Sequence, residues 1–387
     1  MKSWLKVIVC LLSLASLLEA ADLQRISFIH PGLTVELGVG LWAWTLPMDW
    51  DEDGDLDLIV SYNDTPNRAI YFFENPSGRV RLPVFKPPVK VGVSYNNIQI
   101  SYVDGQPRVL IPEQELIDFK KNQFGRTRPI YSGKAIHATR GRIRSNQWKY
   151  CDYDGDGRMD LIVGVDDWSE YGWDEGYDDA GRWKRGPGRG FVYWLRNLAS
   201  DAHPRYADAQ KIEADGKAVE VYAMPSPNFA DFDLDGDLDL ICGEFMDRLT
   251  YFENIGSRTE PRYSMARFLC AQNRILALDG CMIVPVAIDW DQDGDVDLVV
   301  GAEDGSVALV ENNGRVVDGM PEFLAAQPFQ QQAQDLRWGV LVTPFSYDWD
   351  DDGDEDLICG NAAGYIGFIE NLDGGDPPRW ARPQYLQ

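Results

Sequence analysis

The pattern D-x-D-x-D-G-x-x-D occurs five times in this chain: DWDEDGDLD from Asp49, DYDGDGRMD from Asp152, DFDLDGDLD from Asp231, DWDQDGDVD from Asp289 and DWDDDGDED from Asp348. No other feature restricts the fold as much, because each copy crowds at least four carboxylates into nine residues. Two carboxylates about 4 Å apart repel by roughly 4 kcal/mol at an effective dielectric of about 20. An acidic turn left to water has no reason to keep one spacing through five copies. Calcium supplies a reason, since it is a hard cation that takes about six to eight oxygens, often from alternate positions of a tight loop. In the first copy Asp49, Asp51, Asp53 and Asp57 turn carboxylates inward, Gly54 makes the bend, and Asp55 offers its carbonyl at the seventh position. The same roles fall to Asp152, Asp154, Asp156 and Asp160, with Arg158 giving only its carbonyl. They recur at Asp231, Asp233, Asp235, Asp237 and Asp239, at Asp289, Asp291, Asp293, Asp295 and Asp297, and at Asp348, Asp350, Asp352, Asp354 and Asp356. About five structural Ca2+ sites are expected.

The copies also set the architecture. Their starts lie 103, 79, 58 and 59 residues apart, so the basic period is close to 58. The first gap is nearly two periods and holds a worn copy, QISYVDGQPRVLIP, which keeps the Asp104–Gly105 turn but has Arg108 in place of the last aspartate. The second gap exceeds one period by about 21 residues, which fits an insertion between Gly164 and Gly190. Six repeats account for the chain. Each acidic loop runs into a short Val/Ile/Leu stretch ending in Gly or a polar residue, followed by a second run such as AIYFFEN, RLTYFEN or YIGFIEN. No segment keeps a helical apolar period, so the fold class expected is all-β, a β-propeller of four-stranded blades. The terminal RPQYLQ and the early LQRISFIH read as two parts of one blade, closing the ring and hiding sheet edges.

The loops distinguish this pattern from other calcium motifs. An EF-hand needs a twelfth-position acid and flanking helices, whereas here the ninth-position aspartate leads straight into strand. The five loops resemble those of FG-GAP/VCBS repeat propellers, the family that includes the propeller heads of integrin α chains, and the resemblance spans residues 22–387. Many propellers of that family have seven blades; six repeats are counted here, and seven blades are not excluded. The resemblance implies that the acidic loops join first and second strands on one rim. The loop after the second strand and the residues leading into the first would then lie on the other rim.

Residues 1–20 read as an export signal, with Lys2 and Lys6 ahead of an apolar run and small residues at Ala20 and Ala21. That run is too short to span a bilayer, so a secreted, extracellular or periplasmic protein without an integral membrane segment after signal removal is expected. The net charge of −26 and the export signal argue against a nucleic-acid partner. Cys242 and Cys359 occupy matching DLICG positions and read as small buried residues, while a Cys270–Cys281 bridge is conceivable.

Two features point to a ligand. The insertion, residues 165–189, brings Trp168, Trp173 and Trp183 beside Trp42, Trp44 and Trp148 on the implied second rim, where aromatic rings stack on sugars. The alternative is a flap packed on itself over the channel. Residues 119–151 hold nine basic residues and no acid, leaving the rest of the chain at −35. Arg140, Arg142 and Arg144 would suit an anionic partner such as an acidic polysaccharide; the alternative is internal balance against neighbouring acids. The function expected is a binding module for carbohydrate or an extracellular protein. The other reading is a polysaccharide lyase, with His137 or Tyr131 as base, Arg140 or Arg142 neutralising a uronate, and His203 as a further candidate.

Overall fold

A computed structural model of the chain describes residues 32–64, 68–136, 143–171, 176–272, 274–333, 337–375 and 378–386. The leader and LQRISFIH lie outside these residues. The described residues are all-β, and no helix among them is long and apolar enough to cross a membrane. They form six antiparallel sheets consistent with propeller blades, five of four strands and one, the third in chain order, to which Glu220–Val221 adds a fifth.

Sheet 1 comprises Trp44–Met48, Asp57–Tyr62, Ala69–Phe73 and Val89–Gly92. Sheet 2 comprises Gln99–Val103, Gln106–Ile111, Gln114–Leu116 and Thr127–Pro129. Sheet 3 comprises Asn146–Cys151, Asp160–Asp167, Arg189–Leu195 and Gln210–Lys211. Sheet 4 comprises Ser226–Ala230, Asp239–Gly243, Leu249–Phe252 and Arg267–Phe268. Sheet 5 comprises Val284–Ile288, Asp297–Gly301, Val307–Val310 and Gln327–Pro328. Sheet 6 comprises Thr343–Tyr347, Asp356–Gly360, Ile366–Ile369 and Gln384–Tyr385. In five sheets the first two strands are joined by an acidic loop. In sheet 2 they are joined by Asp104 and Gly105, both at positive φ (52° and 72°) as a tight hairpin turn requires. The worn copy is thus a full sheet, and Arg108 pairs with Glu115 on its neighbouring strand.

The first strands of sheets 1 to 5 are neighbours in a closed circuit, and a hydrogen bond crosses each joint. The Tyr102 hydroxyl donates to the Pro47 carbonyl between sheets 1 and 2, and Tyr150 N–H donates to Ser101 Oγ at 2.9 Å between sheets 2 and 3. Lys149 Nζ donates to Asn228 Oδ1 between sheets 3 and 4, and Asn228 Nδ2 donates to the Pro285 carbonyl at 2.9 Å between sheets 4 and 5. Thr45 Oγ1 donates to the Val299 carbonyl at 3.4 Å and closes sheet 5 onto sheet 1. The apolar cores follow the same order. One cluster joins Leu58, Val60 and Phe73 of sheet 1 to Val299 and Leu309 of sheet 5, and others span each remaining joint.

The glycines four residues beyond the ninth aspartate, on the second strands, belong to these joints. A Cβ on Gly164 would lie 2.4 Å from the Pro225 carbonyl oxygen, on Gly243 2.3 Å from that of Ile283, and on Gly301 2.2 Å from that of Ala43. Each neighbour is backbone leading into the next sheet's first strand, so no side chain fits. In sheet 1 the place is held by Ser61, which bonds the backbone of Tyr95 instead.

Sheet 6 stands outside the circuit, which differs from the expectation that every repeat is a member of one ring. Its first strand is exposed throughout, with Phe345 67% and Tyr347 54% exposed, where Leu46 and Met48 at the same register in sheet 1 are buried. It keeps a small cluster of its own: Trp338, Cys359, Ile369 and Trp380. All four of its strands come from residues 343–385, so no early segment completes it among the described residues. The first described strand, Thr34–Glu36, pairs instead with Gln330–Gln332, which in turn pairs with Val84–Phe85. The five described cysteines are free, so Cys270 and Cys281 form no bridge, while Cys242 and Cys359 are buried.

Candidate metal centres and the opposite rim

Each acidic loop is wound by two left-handed residues. The fourth position is at positive φ in Glu52, Gly155, Leu234, Gln292 and Asp351, and the sixth is Gly54, Gly157, Gly236, Gly294 or Gly353. The first aspartate accepts the sixth-position N–H in four copies, as in Gly54 N to Asp49 Oδ2 at 3.1 Å. This winding brings carboxylates of three residues to within 4.8 Å of one another in every loop. The groups are Asp49, Asp51 and Asp53; Asp152, Asp154 and Asp156; Asp231, Asp233 and Asp235; Asp289, Asp291 and Asp297; and Asp348, Asp350 and Asp356. All five are able to hold a metal ion.

Buried oxygens without partners show that the donor set fits a cation. Asp49, Asp152, Asp154 and Asp291 each have such an Oδ1, and so do the seventh-position side chains of Asp55, Asp237, Asp295 and Asp354. Buried polar atoms are rarely left unpaired, and a carboxylate oxygen accepts only from a donor or a metal. Burial, with the neighbouring acids adding to it, pushes Asp55 and Asp237 up to about 6 and Asp295 up to about 7. The seventh-position side chains therefore stand in the acid cluster, beyond the carbonyl role expected of them.

The ninth aspartate does a second job. Its two oxygens take the N–H of the second loop residue and the N–H of an asparagine just after the third strand: Trp50 (3.0 Å) and Asn75 (2.8 Å) for Asp57. Asp297 repeats this with Trp290 and Asn312, and Asp356 with Trp349 and Asn371. Asp160 takes Asn197 N–H and Trp194 Nε1, and Asp239 takes Asn254 N–H. Each asparagine then accepts a turn N–H beyond it, from Ser77, Ala199, Gly256, Gly314 or Gly374. The acidic loop is thereby clipped to the end of the third strand of its own sheet. The asparagines carry a visible sequence signal, the recurring E-N or R-N after the second apolar run, but its use as a clip shows only in three dimensions.

The second loop is unlike the rest. Arg196 lies 2.7 Å from Asp154 and 3.1 Å from Asp156, Arg258 lies 3.2 Å from Asp152, and Arg158 pairs with Asp156. Burial works to raise Asp156, but hydrogen bonds from Arg196 and Arg158 outweigh it and hold its carboxyl below the ordinary range. Arg158, expected to offer only a carbonyl, brings its side chain as well.

At the other end of the first strands, the residues leading into sheets 1, 4 and 5 meet the insertion of sheet 3. Trp168, Ala223, Met224 and Met282 pack with Trp42, Tyr171 and Phe245. Trp42 Nε1 donates to the Met282 carbonyl at 3.2 Å, and Trp168 Nε1 donates to Asp166 Oδ2 at 2.7 Å. Asp166 also accepts the N–H groups of Arg144 and Ser145. The insertion thus lies over the rim beside Trp42, packed largely on itself, with Arg182 on Asp178 and Arg189 on Glu170 and Glu220.

The sequence-chosen ligand residues separate here. Trp44 and Trp148 are core and present no ring face to a sugar on the surface, and Trp168 is buried in the rim cluster. Trp42 is half-buried there, and the Arg144 guanidinium sits 5.9 Å from the Trp168 ring. Trp183 is exposed, with Tyr171 tilted against it (4.4 Å) and Tyr177 meeting it edge-on (5.1 Å). Trp173, His137, Arg140 and Arg142 lie outside the described residues. Among the remaining basic residues of 119–151, Lys120 bonds the backbone of the first loop, Arg126 pairs with Asp118, Arg128 with Glu115, and Lys134 with Asp208. The Tyr131 hydroxyl donates to the Lys134 carbonyl, and His203 closes a turn onto Ser200.

A cleft of about 980 Å³ opens between the circuit and sheet 6. Its wall includes Trp338, Tyr365 and Tyr385, with ring separations of 4.7 Å and 5.2 Å about Tyr385. Glu36, Asp279 and Asp304 face it, and the Tyr365 hydroxyl donates to Asp279 at 2.9 Å. Burial first, then Asp279 and Asp304, raise the Glu36 carboxyl above its ordinary value.

No protein-family model matches the sequence. No curated protein matches it either. Among solved structures, the chain is similar to one of the Photorhabdus luminescens Tc holotoxin pore with the mutation TccC3-D651A, at 14% identity and a TM-score of 0.27. The likeness covers 93% of this chain and 13% of that one, so this chain spans about an eighth of the length of that neighbour.

Proposed function

We propose that the chain is an exported, calcium-stabilised β-propeller of the FG-GAP/VCBS kind that serves as a recognition module for carbohydrate. The observation that carries this reading is the set of buried carboxylate oxygens without partners in the acidic loops, recurring at the seventh position in sheets 1, 4, 5 and 6. The donors are all hard oxygens, with no His or Cys among them, which suits calcium above softer metals. In this reading Asp49, Asp51, Asp53 and their counterparts hold the ion, and the ninth aspartates pass its ordering effect to the outer strands. Carbohydrate is favoured by exposed aromatic faces at two places, Tyr177 with Trp183 on the insertion and Tyr365 with Tyr385 at the cleft.

Chelation should lower the melting temperature markedly, and added calcium should restore it; a melt indifferent to both removes calcium from the reading. On a glycan array the calcium-loaded protein should retain a defined set of sugars. Trp183→Ala or Tyr385→Ala should abolish that retention, and which one does so locates the site. Silence on every glycan gives the module a protein ligand instead.

A further inference from the structure

Counting back from the first aspartate of each loop, or from Asp104 in sheet 2, aligns the first strands of the circuit. Five residues before it stand Trp44, Gln99, Gln147, Ser226 and Val284, all fully buried. Four of these five carry polar atoms without partners: Trp44 Nε1, both amide atoms of Gln99, Gln147 Oε1 and Ser226 Oγ. They lie at one level on five strands that neighbour each other around the circuit. Orphaned polar atoms that share one level mark a place that something else occupies.

The levels above and below say what kind of thing. Side chains two residues apart on a strand share a face, about 6.6 Å apart. One step towards the rim are Trp42, Met224 and Met282, which meet under Trp168 and close that end with apolar surface. One step towards the loops are Lys149 and Asn228. Lys149 is buried and makes a single hydrogen bond, to the neutral Asn228 amide oxygen. The groups that act on it are the Cys242 and Cys151 thiols, and burial pushes both of those up and keeps them neutral. Burial in turn pulls Lys149 down to about 7. The layer is thus rich in donors: an indole N–H, a carboxamide, a hydroxyl and an ammonium. The Gln147 amide joins them when its O and N exchange places against Ser145, which either end can bond. Among the described residues no carboxylate belongs to it. Water would fill the orphaned bonds, but only an anion would also offset the cost of keeping the buried amine charged, and a cation would face it.

We propose that the centre of the circuit, beneath the Trp42–Met224–Met282–Trp168 plug, binds a small monovalent anion, held by Lys149 with Trp44, Gln99 and Ser226 as hydrogen-bond donors. The closed rim restricts it to a halide or a short carboxylate. The test uses the calcium-loaded full chain at fixed ionic strength, replacing gluconate by chloride or by acetate. Each arm reads the melting temperature and tryptophan fluorescence. The wild type should gain melting temperature saturably with chloride, acetate or both, and the arm that responds identifies the anion. Lys149→Met should lose that response. If Lys149→Met does not fold, Ser226→Ala supplies the variant, with a reduced response expected. Where chloride responds, a bromide-soaked crystal should show an anomalous peak between Lys149 and Trp44. A wild type indifferent to both anions, a variant that responds as the wild type does, or a chloride response without a bromide peak would overturn the proposal.

Discussion

At the residue scale, the glycines four residues beyond the ninth aspartate report which sheets have neighbours. Gly301 faces the Ala43 carbonyl so closely that a methyl group has no room, and the obstacle is backbone, which cannot swing aside. Gly360 occupies the same register in sheet 6, where the nearest atom is the Thr343 hydroxyl of its own sheet at 3.0 Å. Gly301→Ala should therefore destabilise the protein by about 1–3 kcal/mol, as overpacking does. Gly360→Ala should stay within about 0.5 kcal/mol. Urea midpoints of the two variants check the contrast, and equal losses would contradict the circuit. These glycines are plain in the sequence as the G of DLICG and DLVVG. Their purpose is not, because the same letter ends the strand in sheet 6, where nothing approaches from another sheet. Trp44 and Trp148 misled for a similar reason. A tryptophan on a first strand reads the same whether it faces a channel or a neighbouring sheet, and only closure of the circuit buries it.

At the scale of the element, the five acidic loops share a sequence but not an electrostatic setting. Arg196 and Arg258 already sit on Asp152, Asp154 and Asp156, so a divalent ion in the second loop must compete with bound guanidinium groups. Calorimetric titration should show the second site as the weakest. Arg196→Ala should tighten it and raise the number of tightly held calcium ions by one, whereas an unchanged count would contradict this account. The period and spacing of the loops made the strands, the turns and the acid clusters legible, since each depends on residues near in sequence. Arg196 and Arg258 lie tens of residues beyond their loop, and no local pattern links them to it. The seventh-position carboxylates were likewise assigned by carbonyl position, and only burial reveals their partnerless oxygens.

At the scale of the whole molecule, the closed circuit makes no use of sheet 6. A chain ending at Ala333 keeps all five joints and the pairing of Gln330–Gln332 with Thr34–Glu36. It should melt cooperatively within a few degrees of the full chain and bind one calcium fewer, by circular dichroism and titration. Ending the chain at Ile283 removes sheet 5 and with it the joint to sheet 1, and that product should not fold cooperatively. Six sheets were countable from the repeat alone. That one of them stands aside was not, because a blade's own sequence is the same with or without neighbours, and nothing local to Phe345 and Tyr347 signals their exposure.

The bond from Thr45 to Val299 ties together residues 254 positions apart. At synthesis speeds of about 5–20 residues per second, roughly 13 to 50 seconds pass between the emergence of one partner and the other. Throughout that wait sheet 1 stands with one flank bare, and its Leu58, Val60 and Phe73 need a temporary companion or an unfolded passage to their destination. The last joint made is also the first one that can be lost, since opening it separates two sheets without unravelling either.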